Sequence, residues 1–104
     1  MTHYRVLILP DAVAEIDRLP GHVRARVRRS IIALREDPQP PQSKRLDHEL
    51  GPAQELWRLR FDKWRLVYLV DKDWHGIFVL TARRRPPYDY DNLDALVEET
   101  DADR

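Results

Sequence analysis

Apolar and polar positions change period several times along the chain. Residues 3–9, "HYRVLIL", alternate weakly and are rich in β-formers, which predicts a first strand ended by Pro10. "PDAVAEIDRL" then predicts a short helix with Pro10 or Asp11 at its N-terminus and Ala12, Ile16 and Leu19 on one face. After the break "LPGH", Val23, Val27, Ile31 and Leu34 recur at helical spacing. They predict a second helix from Gly21 to Glu36, with Arg24, Arg28 and Arg35 off the apolar stripe. Two helices across so short a turn form a helical hairpin. "DPQPPQS" at 37–43 reads as a loop, and 44–54 as irregular chain with a turn at Gly51-Pro52. Period two returns in three strands, about 55–61, 64–70 and 76–83, with "DKDWHG" at 71–76 as a hairpin loop. "NLDALVEE" predicts a terminal helical turn or two. The order βααβββ plus a short C-terminal helix predicts an α+β fold. An N-terminal strand and helical hairpin pack on a small antiparallel sheet, in one domain spanning 1–104.

The central hairpin, "LWRLRFDKWRLVY" at 56–68, carries the first chemical signal. With the turn at Asp62-Lys63, Phe61 faces Trp64, Arg60 faces Arg65, Leu59 faces Leu66, Arg58 faces Val67 and Trp57 faces Tyr68. Alternation puts Trp57, Leu59, Leu66 and Tyr68 on one face, suited to cover the helices. Arg58, Arg60 and Arg65 fall on the other, with Leu56, Val67 and Leu69. Like charges directly opposite one another are unfavourable. Either this is a solvated face paired locally with Glu55, Asp62 or the acidic tail, or it is a phosphate site, since guanidinium forks match phosphate oxygens. A second cluster, Arg83, Arg84 and Arg85 followed by Tyr88 and Tyr90, ends the last strand. Aromatics among cations suit stacking on unpaired bases.

Composition sharpens this picture. The formal net charge is zero, but residues 1–85 hold seventeen Lys and Arg against eleven acids, a net of +6, while residues 86–104 hold one Arg against seven acids, a net of −6. A basic body with an acidic tail points to a polyanion-binding surface and a tail able to screen it. The chain has no cysteine, which excludes disulfides and thiolate chemistry and fits a reducing cytoplasm. "MTHYRVLILPDAV" holds only a short apolar run broken by Pro10, so neither a signal peptide nor a membrane span is expected. His3, His22, His48 and His75 have no spacing that makes a metal or acid–base pair, and structural or solvent roles are expected for them. With 104 residues the chain has little room for an enclosed cavity, so the site is expected to be an open face or shallow groove. Arg24, Arg26, Arg28 and Arg29 read as a solvated helix face or a grip on phosphates.

Across "AVAEIDRLP", "IIALREDPQPPQSKRL", "ELWRLRFDKWRLVYLV" and "RRRPPY", most of the chain resembles the RelE/ParE superfamily of type II toxin–antitoxin toxins. The resemblance implies the same fold and an action on translation or on DNA topology. RelE-like members cleave mRNA in the ribosomal decoding site, whereas ParE-like members poison DNA gyrase and lack the RNase residues. The RelE-like branch is the favoured one. Carried over by position, Arg58 and Arg65 match phosphate-contacting arginines. Arg85, or Arg84 with a gap, matches the arginine ending the last strand, and Tyr88 matches the nearby tyrosine, with Tyr90 as competitor. Leu56 stands where that pattern has a basic residue, and Lys44 or Arg60 is the candidate to supply the charge. Lys44, Arg60, Arg83, Arg84 and Tyr90 complete the expected RNA-binding set.

The implied chemistry needs no metal and no cofactor. A ribose 2′-hydroxyl attacks the adjacent phosphorus in line, the bond from phosphorus to the 5′-oxygen breaks, and a 2′,3′-cyclic phosphate remains while the leaving 5′-oxygen takes a proton from Arg85 or water. Arginines stabilise the developing charge, and Tyr88 acts as base if nearby cations lower its pKa. The implied partners are a cognate antitoxin that covers the basic face or displaces the terminal segment, and the ribosome with its mRNA and rRNA. DNA gyrase is the alternative target, for a ParE-like inhibitor without nuclease activity, and a degenerate member that only binds antitoxin is the third reading.

Overall fold

The computed structural model describes residues 3–48, 50–84 and 93–102. Its elements run β1 (Arg5–Ile8), α1 (Pro10–Asp17), α2 (Gly21–Leu34), β2 (Lys44–Leu46), β3 (Gln54–Phe61), β4 (Trp64–Asp71), β5 (Gly76–Arg84) and α3 (Leu93–Ala102). The α+β class and the helical hairpin agree with the sequence pattern. Pro10 opens α1, where its missing N–H costs no hydrogen bond. Between the helices, Arg24 Nη1 donates to the carbonyls of Asp17 at 3.3 Å and Leu19 at 3.5 Å, closing the "LPG" corner.

The sheet has five strands in the order β1-β5-β4-β3-β2. Two features differ from the expectation. Lys44–Leu46 is a short edge strand, paired antiparallel with Leu56–Arg58, not irregular chain. And β1 joins parallel to β5, so the sheet is mixed. No tight turn links β1 to β5, because the helical hairpin and three strands intervene, so nothing forces an antiparallel start. The β3–β4 hairpin has the register read from sequence, from Gln54 opposite Asp71 to Phe61 opposite Trp64. Its turn is tight because Asp62 takes a left-handed φ of 53°, a conformation Asp tolerates. On β5 a bulge opposite the Val67–Tyr68 step leaves Leu80 as an extra residue. Gly76 starts β5 under the Trp74 ring; a Cβ there would lie 1.8 Å from that ring.

One sheet face packs on the helical hairpin. Ala12, Ile16, Leu19, Val23, Val27, Ile31 and Leu34 meet Leu59, Phe61, Leu66, Tyr68, Val70, Ile77, Val79 and Ala82, with Trp57 and Trp64 at the margin. The helical stripe on α2 is buried as its spacing predicts. The Tyr68 hydroxyl donates to the Pro38 carbonyl at 2.8 Å and so ties the proline-rich loop to this core. The opposite face carries a smaller cluster of Leu9, Leu56, Val67, Leu69, Phe78 and Leu80, covered by Leu96 of α3. That helix runs to Ala102, longer than the one or two turns expected.

Candidate functional site

Side chains at paired positions of neighbouring strands share a face. On the α3 side of the sheet this produces three rows. Leu46, Leu56, Leu69 and Phe78 form an apolar row across β2, β3, β4 and β5. Next comes a mixed row of Lys44, Arg58, Val67 and Thr81. The third, toward the Asp62 turn, is Arg60, Arg65 and Arg83. The face therefore grades from apolar to cationic. Opposed Cα atoms in such ladders lie about 4.5–5.5 Å apart, so Lys44 against Arg58 and Arg60 against Arg65 are close like-charge pairs. Lys44, Arg58 and Arg60 have no carboxylate partner among the described residues.

The five cations are not equivalent. Arg60 and Lys44 are exposed and Arg58 is half-buried. Arg65 is only 3% exposed, and its Nη1 donates to the carbonyls of Trp64 at 3.1 Å and Asp62 at 3.3 Å. That arginine braces the hairpin turn from inside. Arg83 is held by Glu15 of α1, with Nε 3.5 Å from the carboxylate. Arg84, the other arginine expected at the site, is paired with Trp64 and projects from the opposite face, exposed. Arg85, Tyr88 and Tyr90 lie outside the described residues.

Glu15 was not legible as a site residue. Its carboxylate accepts from the Thr81 hydroxyl at 2.7 Å and from the Ala82 N–H at 3.3 Å. Strand β1 ends at Ile8, opposite Val79, so β5 loses its neighbour beyond that point. Glu15 fills in for that neighbour and also anchors Arg83. Only its place on the polar side of α1 hinted at this; the partners lie 66 and 67 residues away.

A second acid organises the opposite edge. Glu55 accepts from Trp57 Nε1, Gln39 Nε2 and Lys72 Nζ, each at 3.1 Å, with Arg45 at 3.6 Å. Burial by itself raises this carboxyl. The hydrogen bonds from Lys72 and Trp57 and the charges of Lys72 and Arg45 outweigh it, so Glu55 titrates below the ordinary carboxylate range. Tyr68 moves the other way: burial pushes its phenol up to about 12, against a smaller opposing pull from Ser43. Tyr68 thus stays protonated and is no general base. His75 is stacked on Tyr4 with ring centroids 3.8 Å apart, a packing role. Among the described residues no group of His, Cys, Asp or Glu is placed to hold a metal ion, and no helix is long and apolar enough to cross a membrane.

The family model described as ParE toxin of type II toxin–antitoxin system, parDE, matches residues 6–86. The chain belongs to that family. No curated protein matches it. Among solved structures it is similar to the archaeal RelE–RelB complex of Pyrococcus horikoshii, with a TM-score of 0.72 and 25% identity over 85% of this chain and 100% of that one. It is also similar to the RelBE2 toxin–antitoxin complex of Mycobacterium tuberculosis, with a TM-score of 0.64 and 24% identity over 80% of this chain and 99% of that one. Isolated Escherichia coli RelE gives 0.63 and 22% over 93% and 98%. The protein is thus a type II toxin–antitoxin toxin with the RelE/ParE fold, placed by its family match and by these structural likenesses together.

Proposed function

We propose that this protein arrests translation as a metal-independent, ribosome-dependent mRNA endoribonuclease, held in check by a cognate antitoxin. The observation that carries this reading is the cationic end of the α3-side face, where Lys44 opposes Arg58 and Arg60 opposes Arg65 and Arg83. Such opposition costs stability in the free protein and is relieved when phosphate oxygens lie between the cations. Arg58 and Lys44 are the accessible pair for a phosphodiester, and Arg65 supplies field from below. Arg85 is assigned to the scissile phosphate with them, and Tyr88 to the 2′-hydroxyl proton. Arg84 and Tyr90 are the alternatives for these two roles. The ribosome orients the mRNA, so the free protein is a weak nuclease. Some of the similar solved structures are complexes of RelE with RelB, and an antitoxin here covers the cationic rows or displaces α3.

A second reading, inhibition of DNA gyrase without chemistry, is favoured by two observations. Leu56, at the position where the nuclease pattern has a base, is 1% exposed under the α3-side cluster. Arg65 is spent on backbone carbonyls. Purified protein given to translating ribosomes and, separately, to gyrase separates the two. Codon-linked cuts that fall about 10²–10³-fold in Arg58→Ala support the nuclease. Trapped gyrase with intact mRNA overturns it.

A further inference from the structure

Four α2 arginines look alike in sequence, and the fold sorts them. Arg24 closes the helix–helix corner, and Arg28 pairs with Asp17 at 3.0 Å. Arg26 and Arg29 instead line an open cleft of about 560 Å³, together with Ser30, Gln42, Phe61 and Arg60. The cleft exists because β2 covers only Leu56–Arg58, leaving the Leu59–Phe61 edge of β3 without a strand neighbour. Arg26 is fixed there by Asp62 at 3.3 Å and lies 5.7 Å above the Phe61 ring. Arg29 and Arg60 have no ion-pair partner among the described residues. Arg60 also ends the cationic row on the α3 side of the sheet. It therefore stands on the rim between two basic surfaces.

We infer that this cleft is a second phosphate subsite, which takes the backbone of a single-stranded RNA as it leaves the α3-side face and passes over the open edge of β3. The inference rests on the RNA reading above and extends it to a path longer than one phosphodiester. Arg26, Arg29 and Arg60 line the cleft and one acid, Asp62, pairs with Arg26, so the cleft keeps a net positive charge for an anion. Its basic end offers no apolar pocket for a peptide side chain, because Phe61 is 5% exposed beneath Arg26. Guanidinium forks match phosphate oxygens two at a time. Contacts to backbone phosphates carry no sequence information, so the subsite binds by charge and shows no sequence preference.

The test uses purified full-length protein and labelled single-stranded oligoribonucleotides of increasing length, read by fluorescence anisotropy across a salt series. Arg29→Gln and Arg60→Gln are the variants, since neither has an ion pair to lose. Arg29→Gln is expected to weaken the longer oligonucleotides by about 3–10-fold, leave the shortest unchanged and lower the salt slope by about one, whereas Arg60→Gln, on the rim shared with the α3-side face, is expected to weaken every length. An unchanged circular dichroism spectrum and a thermal midpoint no lower than that of the wild type exclude misfolding. Unchanged affinity for the longer oligonucleotides in Arg29→Gln, with a loss in Arg58→Ala, overturns the cleft and leaves the RNA reading standing. No binding of RNA by the wild type overturns both. A loss of poly-glutamate binding in the variants with RNA affinity intact identifies an acidic-peptide site and also overturns the inference.

Discussion

The two faces of the sheet solve different problems with the same strands. The helix-side face is apolar from Leu59 to Ala82 and is covered by the helical hairpin, whose two helices contribute six buried side chains and whose connection contributes Leu19. The α3-side face buries one apolar row under Leu96 and then turns cationic. On the first face, neighbouring residues reinforce one another. On the second, the residues nearest the Asp62 turn oppose one another, and α3 leaves them no carboxylate among the described residues for Lys44, Arg58 and Arg60. Apolar packing is concentrated on one side and positive charge on the other, separated by the thickness of a single backbone layer.

The sharpest test of that division is a matched pair of truncations. Leu66→Ala, at a fully buried position on the helix side, is expected to cost about 3–5 kcal/mol in urea unfolding. Leu96→Ala on α3 is expected to cost less, about 2 kcal/mol, and to show first as faster amide exchange in α3. Equal costs with global exchange in both would erase the distinction. Glu55→Gln probes an edge shared by neither face and is expected to cost about 1 kcal/mol at neutral pH. Because the folded carboxyl is held below its unfolded value near 4.3, its contribution is full above that pH and fades as the pH falls through the folded value. The acid limb of the stability curve should therefore be shallower in the variant, as followed by denaturant midpoints between neutral and acidic pH. Smallest of all, Arg60→Thr removes one member of an opposed pair and is expected to raise stability by about 0.2–1 kcal/mol while weakening RNA binding. A loss of stability in that variant would mean the cationic row is structural.

Local signals carried most of the fold. Val23, Val27, Ile31 and Leu34 are buried as their helical spacing predicts, and the Asp62 turn sets the β3–β4 register by itself. What escaped was long-range. Three residues, Lys44–Leu46, are too few to show a period, and β1 pairs with β5 only because the chain between them folds back. At the site, the hairpin register put Arg58, Arg60 and Arg65 on one face, as the alternation requires. Sequence could not show that Arg65 turns inward to backbone carbonyls, nor that Arg83 is claimed by Glu15, because burial and ion pairing depend on elements far away along the chain. Arg84 was grouped with them by adjacency, yet adjacent strand residues point to opposite faces.

The extra residue at Leu80 acts as a phase shift in a two-beat pattern. Before it, Phe78 belongs to the α3 side and Val79 to the helix side; after it, the odd-numbered Thr81 and Arg83 take the α3 side. Were the beat uninterrupted, Ala82 would stand among the arginines, Thr81 would meet Leu66, and Arg83 would be driven against Trp64 at the helix-side core. A single inserted position thus decides whether the last strand delivers its charge to the cationic rows or into the oil.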